Sequence, residues 1–518
     1  MPYMKRSFPP DATTLPAPGL RGLAARAAAF AALALLAACG PRAATGPMAP
    51  LPKADRRVPR PPNVVLVVAD DLSAGELGCY GQGKIRTPRI DALAREGARA
   101  AIFDSAAPVC APSRAMMLTG LHAGHCGIRD NREVGAEGQQ PIGSGTHTLV
   151  QDLDRRGYAT GLFGKWGLGG PKSGSEPLDC GFDRFVGYLC QRKAHDHYPP
   201  SLWSDRARLD LPGNPDGSPS GETYAHDIIR DAAVRFVADH ADRPFLLVFA
   251  SPLPHAALQV PAADLAEYAG AFAETPYDGS RGYLPHPTPR AAYAAMITRL
   301  DRDVGAIVDA VRTAGLERET IVLVTADNGA THDAGGVDTA FFGSTGGLRG
   351  RKGSHWEGGL RVPFVAWAPG RIAPGRLLQD PAWTVDLRAT IDAWCRAGAP
   401  PTDGRDLSGW IEGRDASPPR AFEGYWESPG YGGQQAVAWT EGPRRWKAVR
   451  MDLAKRGLDA PVQLFDLTAD PDEATDLAAT HPDEARNAWD RMARARVPSD
   501  AFPLAGAATA RRGLAGTP

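Results

Sequence analysis

Apolar residues in this chain fall into short unbroken runs separated by stretches of mixed polarity. The runs 63–69 (NVVLVVA), 245–250 (FLLVFA) and 320–326 (TIVLVTA) have no polar face and are rich in β-branched residues. Strands buried on both faces of a parallel sheet read this way. A further strand is predicted over 158–163. Between the runs, apolar positions recur at helical spacing over 87–97, 146–156, 224–240 and 291–315. Pro88 falls in the first turn of the first of these, where its missing N–H does no harm. The alternation predicts an α/β fold with a large, mainly parallel mixed sheet sandwiched by helices. Ligands in such folds gather at the C-terminal ends of strands, and Asp70, Asp71, His255, Asp327 and Asn328 all follow predicted strands. After about residue 415 the pattern changes. Short strands over 446–450 and 462–467 and a helix over 482–496 predict a smaller C-terminal α+β domain containing a short antiparallel sheet.

The beginning of the chain changes this picture. Lys5, Arg6, Arg21 and Arg26 precede an apolar run over 27–38, too short to span a membrane comfortably and similar to a secretory signal. The run ends L-A-A-C at 36–39, followed by Gly40, which resembles a bacterial lipoprotein signal with Cys39 lipidated. An ordinary signal peptide cut nearby is the alternative. The expected organisation is a signal segment over 1–39, a Pro-, Ala- and Arg-rich tether over 40–62, the main α/β domain over 63–415, the C-terminal α+β domain over 416–505 and a loose tail over 506–518. The protein is expected to be exported and anchored facing the periplasm or exterior, touching the membrane through Cys39 only. Formal net charge is −1 over 518 residues, and no basic stripe with interleaved stacking residues appears, so no nucleic-acid partner is expected. Of the seven cysteines, Cys180 and Cys190 are spaced for one local disulfide.

Candidate chemistry concentrates at 108–120, PVCAPSRAMMLTG. Pro112 suits the first turn of a helix over 113–118 whose N-terminus would face an anion, with Cys110 just before it. Arg114 has the planar fork that binds oxyanions. A buried, inert cysteine is the plainer reading of Cys110. The pairs Asp70-Asp71 and Asp327-Asn328 present hard oxygen ligands suited to Ca²⁺ or Mg²⁺, although such pairs also serve as helix caps.

The window C-A-P-S-R followed by L-T-G resembles the signature of the sulfatase family, whose members share an alkaline-phosphatase-like architecture. The resemblance runs from about residue 63 to 477 and includes D-N-G at 327–329 and RGRK…EGGLR around Lys352. It implies that Cys110 is oxidised by a separate formylglycine-generating enzyme. The hydrated aldehyde would attack the sulfur of a sulfate ester with one hydroxyl, and the other would collapse the intermediate and release sulfate. It implies a divalent ion, usually Ca²⁺, held by Asp70, Asp71, Asp327, Asn328 and the modified Cys110. Lys165 and Lys352 would contact sulfate oxygens, with Arg114 and the ion helping to stabilise the transferring group. His255 would protonate the leaving oxygen or orient the sulfate. Glu357 and Arg361 are read as supports of the Lys352 loop, and Gly350, Gly358 and Gly359 as sites of close backbone approach.

The sequence departs from the family at GKWGLG, where Gly167 stands in place of a histidine expected to act on the diol. His195 or His197 could substitute, with His122 and His125 weaker choices; or the ion and Lys165 could suffice; or the enzyme could be slow or dead. Tyr188, His195, His197, Tyr198, Trp203, Phe341, Phe342 and Trp356 are candidates for the entrance. The expected substrate is a small-molecule or glycan sulfate ester. The alternatives are a phosphonate or phosphate ester hydrolase on the same scaffold, and a non-catalytic lipoprotein that binds sulfated glycans.

Overall fold

Four apolar runs become the centre of a ten-stranded sheet. The computed structural model describes residues 60–143, 145–457 and 460–504. The signal segment with Cys39, the tether up to residue 59 and the tail 506–518 lie outside the described residues. In spatial order the strands are Arg376–Leu378, Ala98–Ala100, Val365–Trp367, Thr320–Ala326, Asn63–Ala69, Phe245–Ala250, Ala159–Lys165, Arg184–Tyr188, Ser201–Ser204 and Ala207–Asp210. The five from Thr320–Ala326 to Arg184–Tyr188 are mutually parallel. Antiparallel pairings appear beyond them on both sides. Every residue of Asn63–Ala69, Phe245–Ala250 and Thr320–Ala326 is buried, which explains their unbroken apolar character.

Helices flank the sheet in two groups. Pro88–Glu96, Ala225–Asp239 and Pro289–Thr313 pack together, and so do Cys110–Thr119, Leu149–Arg155 and Asp386–Cys395. The helix Cys110–Thr119 begins three residues earlier than the expected 113–118, so Cys110 is its first residue and Pro112 its third. It is buried on all sides, and Gly120 closes it in the left-handed conformation at φ 65°.

The C-terminal sheet has four antiparallel strands, Glu423–Ser428, Gln434–Glu441, Arg444–Arg450 and Gln463–Asp466. The first two show no alternation of apolar and polar residues, because Glu427, Ser428, Gln434 and Gln435 are buried among side-chain partners. Cys180 and Cys190 are both free and buried, so the disulfide their spacing allowed is not formed.

Sheet register assembles the charged residues. Ala69 pairs with Ala326, which brings Asp70-Asp71 beside Asp327-Asn328. Asp70 bridges Pro254 on the other side, next to His255, and Lys165 ends the strand beyond.

Candidate active site

The backbone turns sharply where the central strand ends. Asp71 sits at φ 66°, an uncommon conformation for a non-glycine residue and one that short polar side chains tolerate best. Its N–H donates to Asp327 Oδ1 at 3.2 Å, locking the two strand ends together. Asp70, Asp71, Asp327 and Asn328 are all fully buried. Cys110 Sγ lies 3.3 Å from Asp70 Oδ1 and 3.6 Å from Asn328 Oδ1.

Buried cations answer the carboxylates. Lys165 Nζ is in direct contact with Asp70. Lys352 Nζ lies 2.7 Å from Asp71 Oδ1, and Thr331 Oγ1 donates to Asp71 Oδ2 at 2.7 Å. Burial alone would raise both acid pKa values. Lys165, then His255 and Arg114, hold Asp70 well below the usual range. Lys352, followed by His255, brings Asp71 down to about 2. Both acids are therefore ionised at neutral pH.

Arg114 is placed differently from the sequence expectation. Its Nε and Nη2 donate to Asp327 Oδ2 at 2.9 and 2.7 Å, and its Nη1 to the Lys165 carbonyl at 3.0 Å. The fork read as an anion binder faces a carboxylate, so Arg114 orients Asp327. The helix N-terminus also offers fewer free donors than expected. Pro112 has no N–H, that of Ala111 goes to Asn131 Oδ1 and that of Ser113 to the Val109 carbonyl.

Cys110 itself is 2% exposed. Burial first, then the charge of Asp70, pushes its thiol pKa far above the ordinary value. An unmodified thiol here stays protonated and is a weak nucleophile.

The oxygen set fits a hard divalent ion. Asn328 Nδ2 donates to Asp71 Oδ1 at 2.7 Å and to the Gly329 carbonyl at 3.1 Å. This turns Asn328 Oδ1 toward Cys110, with a thiol as its only partner among the described residues. The donor atoms of Asp70, Asp71, Cys110 and His255 all lie within 4.8 Å of one another. Carboxylate and amide oxygens suit Ca²⁺ or Mg²⁺.

Of the two histidines expected to replace the missing one, only His195 reaches the centre. Its ring stacks on His255 with centroids 4.1 Å apart and planes 10° apart. His255 Nδ1 is 2.5 Å from the Ala256 carbonyl and its Nε2 is 3.5 Å from Asp71 Oδ2. Burial, then neighbouring Lys352, lowers the His255 pKa to about 4, so its ring is neutral at pH 7. His197 acts behind this pair. Its Nδ1 meets His226 Nε2 at 2.7 Å and its Nε2 meets the His255 carbonyl at 3.0 Å, so both ring nitrogens are occupied in holding the loop. His122 and His125 stack on each other and share Asp403.

Gly167 has a structural reason of its own. It sits at φ +75°, and a Cβ there would fall 2.1 Å from Gln191 Nε2. Gln191 fills the space a side chain would need, and its buried amide has no hydrogen-bond partner among the described residues. Sequence reasoning missed Gln191, which carries no motif. Gly167→His should therefore destabilise the fold by about 1–2 kcal/mol through left-handed strain and lower turnover rather than raise it. Thermal melts and rates on one sulfate ester would check this; unchanged stability with faster turnover would mean that Gln191 yields to an imidazole.

The expected entrance aromatics turn largely inward. Tyr188, Tyr198, Phe342 and Trp356 are buried, and Tyr188 Oη donates to the Asp196 carbonyl at 2.7 Å. Phe341 packs on Phe272 and Phe342, and Trp203 packs under Arg208. His355 is also interior, bonded to Ser428 Oγ at 3.0 Å. Tyr283 lies against His195 and His255 and Tyr431 against Gly353, and neither lies in a motif.

Comparison with known proteins agrees with this geometry. The sulfatase family model matches residues 62–395. Steryl-sulfatase of Mus musculus is 30% identical over 84% of this chain and 82% of its own length. Arylsulfatase A of Homo sapiens is 34% identical over 70% of each chain. The crystal structure of Ps i-CgsB in complex with k-i-k-neocarrahexaose has a TM-score of 0.69 at 25% identity, covering 84% of this chain and 92% of that one.

Proposed function

This chain belongs to the sulfatase family of sulfuric ester hydrolases, and from that premise we propose that it hydrolyses a sulfate monoester at residue 110, after Cys110 has been converted to formylglycine. The observation that carries this reading is a thiol held unreactive by burial yet set against Asp70 and Asn328, with Lys165 and Lys352 alongside. The conversion supplies a hydrated aldehyde with one oxygen to attack sulfur and a second to expel sulfate. Asp70, Asp71, Asp327 and Asn328 would hold a divalent ion, Ca²⁺ or Mg²⁺, which supplies positive charge beside the nucleophile and the sulfate oxygens.

Lys165 and Lys352, both buried, bind the sulfate oxygens and stabilise the charge that spreads over them. Arg114 keeps Asp327 oriented. His255 orients the ester through Nε2. His195, stacked on it, takes the proton that the absent side chain at Gly167 would have taken. His197 positions His255. Similarity to Ps i-CgsB, solved with k-i-k-neocarrahexaose, supports a glycan sulfate among the substrates. Export and anchoring through Cys39 rest on the L-A-A-C signal, and maturation requires a formylglycine-generating partner.

The test uses protein co-produced with maturation machinery. The mass of the tryptic peptide containing residue 110 should show the aldehyde. The same sample should cleave sulfate esters faster than matched phosphate and phosphonate esters, lose activity on chelation, and regain it with Ca²⁺ or Mg²⁺. An aldehyde-bearing, metal-loaded sample that cleaves no sulfate ester would overturn the proposal.

A further inference from the structure

Two tyrosines stand beside the charged centre and take no part in the chemistry above. The ring of Tyr283 lies edge-on to both stacked imidazoles, 5.6 Å from His195 and 5.9 Å from His255. It rests on Gly335, where a Cβ would come 3.0 Å from Tyr283 Cδ2. Tyr431 covers Gly353, the residue after Lys352, where a Cβ would fall 2.6 Å from Tyr431 Cε1. Its ring is 6.2 Å from His332, which adjoins the Thr331 bonded to Asp71.

Both tyrosines adopt left-handed backbone, at φ 62° and 51°. Strain of this kind in bulky residues is found at ligand clamps. Both also remain open to solvent, Tyr283 at 39% and Tyr431 at 51%, and among the described residues neither hydroxyl has a hydrogen-bond partner. Lys352, Asp71 and Cys110 each act electrostatically on both phenols, so the two overlook one reacting centre. The neighbouring Arg351–Asp333 ion pair, next to Lys352 and His332 in the chain, is partly exposed.

We propose that Tyr283 and Tyr431 form the subsite for the leaving group, and that the group they accept is a sugar ring. A pyranose presents C–H faces to tyrosine rings and hydroxyls to free phenols. A fused hydrocarbon ring would bury both phenols without hydrogen-bond partners, which is unfavourable. This subsite rests on the sulfate-ester reading, and the test separates the two.

Matured wild type and the variants Y283A, Y283F, Y431A and Y431F are assayed on 4-nitrophenyl sulfate, on a panel of monosaccharide sulfates and on a steroid sulfate. Each alanine variant should lower kcat/KM for the sugar sulfates by about tenfold, mainly through KM. Turnover of 4-nitrophenyl sulfate, whose activated leaving group depends less on binding, should stay within about twofold of wild type. The phenylalanine variants should retain the larger share on sugars. Turnover of 4-nitrophenyl sulfate combined with inert sugar sulfates would overturn the subsite alone. So would alanine variants that leave sugar turnover unchanged, or a preference for the steroid ester lost on substitution. No turnover of any ester by aldehyde-bearing enzyme would overturn both proposals.

Discussion

Replacing Cys110 with alanine removes turnover by about 10⁴-fold or more and leaves the fold intact. Among the described residues the side chain makes only two polar contacts, at 3.3 Å to Asp70 and 3.6 Å to Asn328, and a thiol is a weak donor in both. Its loss therefore removes little stabilisation, while a small buried cavity costs about 1 kcal/mol. The chemistry has no substitute at that position. Lys165 and Lys352 are paired with Asp70 and Asp71, so neither amine is free to act as the nucleophile. Turnover rates beside a thermal melt would check the prediction. A folded C110A enzyme retaining a tenth of wild-type activity would remove Cys110 from the reaction.

The second large effect is on stability. Glu357→Ala should destabilise the protein by about 3–5 kcal/mol, the range for breaking a buried ion pair by removing one partner. Glu357 is 1% exposed. Its carboxylate contacts Arg361 and accepts from Arg445 Nη1 at 2.9 Å and from Lys447 Nζ at 2.8 Å. Asp104 also pairs with Arg361 and Arg445, and Glu473 with Lys447 at 2.9 Å. Removing Glu357 leaves buried Arg445 and Lys447 and part-buried Arg361 sharing two carboxylates. The cluster joins the C-terminal sheet, which carries Arg445 and Lys447, to the short helix Glu357–Leu360 that follows the Lys352 loop. The Gly358 N–H closes that loop onto the Arg349 carbonyl at 2.7 Å.

The sign of the pH dependence follows from the same contacts. Burial would raise the pKa of Glu357, but Arg445, then Lys447 and Arg361, hold it far below the ordinary 4.5. Its stabilising contribution is thus fully present above the unfolded-state value and fades as pH falls toward the folded one. Urea unfolding of wild type and E357A at several pH values should show the difference between them shrinking in acid. Equal midpoints at neutral pH would refute the prediction.

Much of the fold was legible because its signals are local. Runs such as 63–69 and 320–326 are apolar throughout since both faces are covered, and their bounds in the structure match the sequence pattern. The two N-terminal strands of the C-terminal sheet were not legible. Gln434 and Gln435 point inward and are satisfied by Gly353 and Tyr425, and a polar residue with a distant partner looks the same in sequence as one in water. The histidines show the same limit. His195 and His197 are two residues apart in one loop, and nothing in their spacing tells which ring stacks on His255 and which braces it through His226.

By itself the sequence determined the four central strands, the acidic pairs at strand ends, the Cys110 window and the family, because each is carried by neighbouring residues. Only the tertiary structure decided that Arg114 serves Asp327, that Gln191 occupies the space beside Gly167, and that Tyr283 and Tyr431 flank the site while the motif-borne aromatics turn inward. Those outcomes depend on side chains brought together from positions tens to hundreds of residues apart. Burial and hydrogen-bond satisfaction select among them only once the sheet has set its register.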